Sequence, residues 1–182
     1  ADECMKGDLQ TRRQELGQEI GENISVRRVV TLETTEGLIA SYLHTDKRKG
    51  ALVELEGGDI ALGRDISMHV TALSPMVTTP DEVDVELVEK EREIYTAQAE
   101  ESGKPPDIVV KMVDGRLRKY LAEISLVEQP FVKDTSNKMT VGKLLSEAGA
   151  ACKGFVRYEV GEGVERKQGD FAAEVAAQVK AT

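Results

Sequence analysis

The side chains in this sequence with the reactivity for catalysis or metal binding are His44, His69, Cys4, Cys152 and a run of carboxylates in residues 81–93. A nucleophile needs a base within hydrogen-bond reach, and no Ser, Cys or Asp near His44 has the spacing that would make it half of a catalytic pair. His69 falls on a segment with an apolar stripe and reads as a structural histidine. Cys4 and Cys152 stand far apart, with no second Cys or His at ligand spacing, so neither a disulfide framework nor a zinc site is signalled, and both read as reduced thiols. Lys90 and Arg92 are interleaved with the carboxylates of residues 81–93, as on the solvated face of a helix rather than in a metal or general-acid site. Gly161-Glu162-Gly163 lacks the third glycine of a dinucleotide loop, and GxxxxGK[ST] is absent. No glycosidase-like carboxylate pair is identifiable. The expectation is a protein that is not an enzyme, with no catalytic residue, no resident metal and no cofactor.

Composition points the same way. Lys and Arg number 24 against 33 Asp and Glu, a net charge of −9, which repels nucleic acid in bulk and argues against direct binding to it. Aromatic residues make up 4% and Trp is absent, so stacking platforms for bases are scarce and the core must be built from Val, Leu, Ile and Ala. No run approaches the ~20 apolar residues of a membrane helix, and the acidic start ADECMKGD lacks the basic and apolar regions of a signal peptide. A cytoplasmic protein that meets no membrane is expected. The 182 residues suit one medium domain or two small ones, and a start without Met suggests processing or a fragment.

The elements that carry these residues follow from periodicity. Residues 10–19 suit a helix, which Gly21 and Asn23 would stop. Ile24, Val26, Val30 and Leu32 alternate with polar residues, with Arg28 and Val29 as exceptions, and predict a half-buried strand over residues 24–33. Residues 38–45 and 50–56 read as a hairpin around TDKRKG. Asp59 would cap a helix presenting Leu62, Ile66, Val70 and Leu73 to the sheet, closed by Pro75. Thr79-Pro80-Asp81-Glu82 has the form of a capping box and predicts a long helix from there through Val83, Leu87, Ile94 and Tyr95. Gly103-Lys104-Pro105-Pro106 breaks it, and a second helix runs through Val109, Met112, Leu117, Tyr120 and Ile124, giving an αα-hairpin of two helices of about twenty residues. Thr140 would cap a helix to Ala148 that buries Val141, Leu144 and Leu145. A strand over residues 154–160 puts Val156, Tyr158 and Val160 on one face and Arg157 and Glu159 on the other. Asp170 would cap a terminal helix with Phe171, Val175 and Val179 on one side.

The words IGENISVRR (residues 20–28), SYLH (41–44), QPFV (129–132), TVGKLL (140–145), GFVRYEVGEG (154–163) and DFAAEVAA (170–177) occur in the order found in bacterial elongation factor Ts. The resemblance runs from about Glu15 to Gln178. It implies an α+β fold of small antiparallel sheets with packed helices, a protruding antiparallel helical hairpin and a C-terminal helix. The implied organisation is a remnant of a first core subdomain in residues 1–34 and a second core subdomain in residues 35–78 and 127–163. Residues 79–126 would be the inserted hairpin of the dimerisation type, and 164–182 a docking helix.

The function the resemblance implies is guanine-nucleotide exchange on elongation factor Tu, the partner it predicts. Such a factor promotes release only by binding the nucleotide-free partner more tightly than the loaded one. Carried over by position, the partner contacts fall on Ile20 and Gly21, on His44, and on Asp170, Phe171, Glu174 and Val175 of the terminal arm. The family's N-terminal three-helix module and its TDFV loop, which disturbs the partner's magnesium site, have no counterpart in this sequence. The strand at residues 24–33 is then expected to keep an open edge, and the chain to bind its partner but exchange nucleotide poorly. A binding-only scaffold is the alternative reading. The seams of the helical hairpin are open to two readings, internal packing or a homodimer contact.

Overall fold

The structure is a computed structural model that describes residues 6–163. Among these the chain forms an α+β fold of five helices and one three-stranded antiparallel sheet. In order, the elements are α1 (Asp8–Ile20), β1 (Leu38–Leu43), β2 (Lys49–Glu56), α2 (Ile60–Leu73), α3 (Val85–Glu100), α4 (Pro106–Ile124), α5 (Val141–Glu147) and β3 (Ala151–Glu159). The sheet order is β1-β2-β3, so the first hairpin supplies two strands and the third arrives from far along the chain. Ala40 faces Val53 across the first pair, and Val53 faces Phe155 across the second.

One face of this sheet is sealed by α2. Asp59 caps that helix as its sequence predicts, accepting from the Leu62 amide at 2.8 Å. Ile66 and Val70 are fully buried against Val53 and Leu55 of β2, and the cluster continues through Leu126, Phe131, Val141 and Leu145. Each such aliphatic side chain contributes about 1.5–3 kcal/mol of transfer free energy. Gly63 sets how closely α2 approaches the sheet. A Cβ there would stand 2.6 Å from the Ala40 Cβ and 3.0 Å from the Leu38 Cδ1. The helix ends at Leu73, one residue before the left-handed Ser74 and two before Pro75.

α3 and α4 form the expected antiparallel hairpin. Ala99, Val109 and Val113 make its small core with Tyr95 packed alongside, and Tyr95 meets Tyr120 edge-on at 6.5 Å. Where the hairpin leaves the body its two strands of chain are stitched together. The Met76 amide donates to the Ile124 carbonyl at 2.8 Å and the Leu126 amide to the Val77 carbonyl at 2.9 Å. α5 starts as predicted at Thr140, whose hydroxyl accepts from the Lys143 amide at 3.3 Å.

Three sequence expectations are corrected. Residues 23–34 join no strand ladder, because alternation alone cannot satisfy backbone donors and acceptors and no strand among the described residues pairs with them. The box at residues 79–82 opens only the 3-10 turn Pro80–Glu82. Glu82 accepts from the Thr78 amide at 3.0 Å and from the Thr79 hydroxyl, the chain turns extended at Val83, and α3 starts afresh with Asp84 capping the Glu86 amide at 2.7 Å. In the hairpin seam Tyr95 and Ala99 face α4, while Ile94 is exposed. The predicted terminal helix at Asp170 lies outside the described residues.

Candidate functional site

The first candidate residues sit at the end of α1. Ile20 is its last residue and 55% exposed, and Gly21 follows in the left-handed region at φ 70°. That geometry costs an L side chain strain and glycine none. The corner is tied down by Arg13, which takes Gln10 at 3.1 Å and donates to the Ile24 carbonyl at 2.6 Å.

Beyond the corner, residues 23–30 run beside the sheet face that α2 leaves open. The alternation predicted for β3 is correct, but its two faces carry unexpected partners. Phe155 and Arg157 point to the α2 side, where Arg157 donates to the Thr71 carbonyl at 3.4 Å. Val156 and Tyr158 belong to the other face, with Leu52 of β2 and Leu43 of β1. Together with Ile24 and Val26 they border a groove of about 770 Å³.

Cations cross this groove to one acidic residue. Arg28 lies over the Tyr158 ring at 4.6 Å and pairs with Glu162 at 2.9 Å. Arg27 donates to the Glu162 carbonyl, and Arg157 reaches the same carboxylate at 3.3 Å from the opposite side of β3. Arg157 also pairs with Glu159 at 2.5 Å. The two segments IGENISVRR and GFVRYEVGEG are therefore bound to one another in space. The sequence treated Arg28 as a break in an alternation; its spacing gave no sign that it was a tie.

His44 stands where β1 enters the turn to β2. Its amide donates to the Lys49 carbonyl at 2.9 Å and its carbonyl accepts from the Lys47 amide at 2.8 Å. Lys47 adopts φ 58°, the left-handed residue that closes a four-residue turn, and Asp46 accepts from the Arg48 amide at 2.9 Å. Lys47, Arg48 and Lys49 border the same groove as Glu22 and Asn23, so the α1 corner and the hairpin tip share one rim. The Tyr42 hydroxyl lies 3.3 Å from the His44 Nδ1, and the rings are tilted with centroids 6.1 Å apart. Tyr42 went unnoticed in the sequence, although two residues on the same side of a strand is the signal that could have found it. Asp170, Phe171, Glu174 and Val175 lie outside the described residues.

Cys4 lies outside the described residues, and His69 and Cys152 are structural. His69 is buried: its Nε2 donates to the Gln129 Oε1 at 2.9 Å and its Nδ1 accepts from the Val132 amide at 3.1 Å. Burial pushes the Cys152 thiol up to about 11, away from thiolate reactivity. Among the described residues no group of three or more His, Cys, Asp or Glu is arranged to hold a metal ion, and no helix is long and apolar enough to cross a membrane.

A family model described as Elongation factor TS matches residues 2–162 of this chain. The chain belongs to the elongation factor Ts family. Elongation factor Ts of Saccharophagus degradans is 52% identical over 180 residues, covering 98% of this chain and 61% of that protein. Those of Hahella chejuensis and Methylococcus capsulatus are 53% and 54% identical, over 97% and 93% of this chain and 60% and 57% of their own lengths. The chain thus spans about six-tenths of the length of the curated relatives it matches, at an identity that carries the elongation factor Ts fold across nearly all of it.

Proposed function

We propose that this chain docks on elongation factor Tu and promotes release of its guanine nucleotide, the exchange step of translation elongation in the cytoplasm. The observation that carries this reading is the identity of about one half to proteins named Elongation factor Ts over nearly the whole chain. The α1 corner and the hairpin tip support it, since both are exposed on one rim and both are held in fixed backbone geometry. Ile20, Gly21 and His44 supply contacts there. Asp170, Phe171, Glu174 and Val175 add a second docking surface along the terminal arm, of the helix-in-groove kind. Exchange then follows from linkage: contacts made more strongly to the nucleotide-free partner lower its affinity for GDP by the same factor.

The test is release of a fluorescent GDP from elongation factor Tu on addition of this chain. Acceleration weaker than that given by a full-length relative is the expected outcome, and failure to form any complex overturns the reading. Complex formation with an unaltered release rate identifies a docking framework without exchange activity, the second reading. Self-association through the helical hairpin is a further part of the proposal. Val85, Ile94, Ile108 and Val110 leave apolar surface exposed on α3 and α4, and sedimentation of a variant with Ile94 and Val110 changed to Gln tests it.

A further inference from the structure

We infer that Arg13 and Gly17 are positioning residues for the Ile20–Gly21 corner, setting the angle at which that corner meets the docked partner. The inference rests on the proposed docking of this chain on elongation factor Tu through the corner.

α1 buries no residue, and of residues 8–20 only Gln10, Arg13 and Gly17 are partly covered. They recur at i, i+3 and i+7, which places them on one stripe of the helix. An ordinary amphipathic helix turns its large apolar side chains inward along such a stripe. Here Leu9, Leu16 and Ile20 are exposed, and the covered stripe holds two long polar side chains and a glycine. The return of the chain after Gly21 lies against it. Arg13 Nη1 donates to the Ile24 carbonyl at 2.6 Å, and a Cβ on Gly17 would stand 3.1 Å from the Glu22 carbonyl oxygen. Gly17 meets Glu22 and Arg13, one helical turn earlier, meets Ile24, so the return runs antiparallel to α1 along that stripe.

The two contacts act differently. Gly17 sets how closely the return approaches the helix, since a Cβ there would force the Glu22 oxygen outward by a few tenths of an ångström. Arg13 holds the return in place: its Nε donates to the Gln10 Oε1 at 3.1 Å, which keeps the planar guanidinium aimed at the Ile24 carbonyl. Gly21 supplies the left-handed bend but does not fix the direction in which the chain leaves it, having nothing within 4 Å of where a Cβ would stand. A contact surface held at a set angle before docking loses less freedom on binding than a mobile one.

The experiment measures binding to elongation factor Tu by Arg13→Met, Arg13→Lys and Gly17→Ala, with thermal unfolding of each alongside. Arg13→Met keeps a long stem and removes the donors, and is expected to weaken association about threefold to tenfold, the range for loss of one hydrogen bond. Arg13→Lys should restore most of that loss, because its ammonium can donate to the Ile24 carbonyl. Gly17→Ala separates positioning from stability. Alanine is the better helix former, so the melting temperature should hold or rise, while the displaced Glu22 carbonyl weakens association. Undiminished binding by Arg13→Met or Gly17→Ala overturns the inference, as does Arg13→Lys binding no better than Arg13→Met. Binding lost only together with melting temperature assigns both residues a purely structural role and overturns it as well. The free chain gives a second readout: the Gly21 and Glu22 amide signals in nitrogen-15 spectra should shift in Arg13→Met and in Gly17→Ala, and unchanged signals overturn the inference. If the unmodified chain fails to bind elongation factor Tu, the functional reading fails by itself, and these spectra still decide whether Arg13 and Gly17 hold the corner.

Discussion

His69 has an acceptor on one ring nitrogen and a donor on the other, so the buried ring is held neutral. A proton on Nδ1 would face the Val132 N–H, and burial lowers the affinity of the ring for that proton. The unfolded chain binds the proton near the ordinary value of 6.5 and the folded chain does not. Stability is therefore full above that value and declines as pH falls through it towards the lowered folded value. Urea unfolding at a series of pH values should show this slope, and His69→Gln should remove it while costing about 1–3 kcal/mol at neutral pH. Two arginines on one carboxylate give a contrast. Arg28 is half exposed, so Arg28→Ala should cost less than about 1 kcal/mol. Arg157 is 12% exposed and also holds the Thr71 carbonyl, so Arg157→Ala should cost about 1–3 kcal/mol in the same assay. That His69 is structural could be read from its place on an apolar stripe. The alliance of Arg27, Arg28 and Arg157 at Glu162 could not, because it joins residues more than a hundred positions apart and leaves no periodic trace.

Single elements were legible where one side chain decides the outcome locally. Asp59 and Thr140 cap α2 and α5 as their types predict, and Asp59→Ala should lower stability by about 1 kcal/mol in denaturant titration. Residues 79–82 show the limit of such local reading. The same Thr and Glu are present, but Glu82 turns to the Thr78 amide and the extended Val83 buries its side chain, so the helix begins five residues after Pro80. Residues 24–33 show another limit: their alternation reports which side chains prefer cover, whereas a strand exists only where a neighbour offers its own backbone. In the helical hairpin, Val113→Ala should cost about 1.5–2 kcal/mol from the methyl groups removed. Hydrogen exchange should place that loss in α3 and α4 and leave the amides of β2 protected, because the two hydrophobic clusters share no residue.

For the molecule as a whole, the neck between Val77 and Ser125 is the feature with the widest reach. The paired chains there bring the two ends of the αα-hairpin together whatever lies between them. Replacing residues 84–120 by a short Gly-Ser linker should leave one cooperative thermal transition and the sheet's circular dichroism, since closing a shorter loop is no more costly than closing the native one. The order β1-β2-β3 has a consequence for the moment of synthesis. The β1–β2 hairpin can form as soon as it is made, but its central strand then offers an unpaired edge until residues 57–150 have followed and β3 arrives. Contacts of such sequence separation are slow to form, so the nascent chain carries an unpaired β2 edge while those residues are made. The αα-hairpin, built from local contacts, is complete well before the strand that completes the sheet.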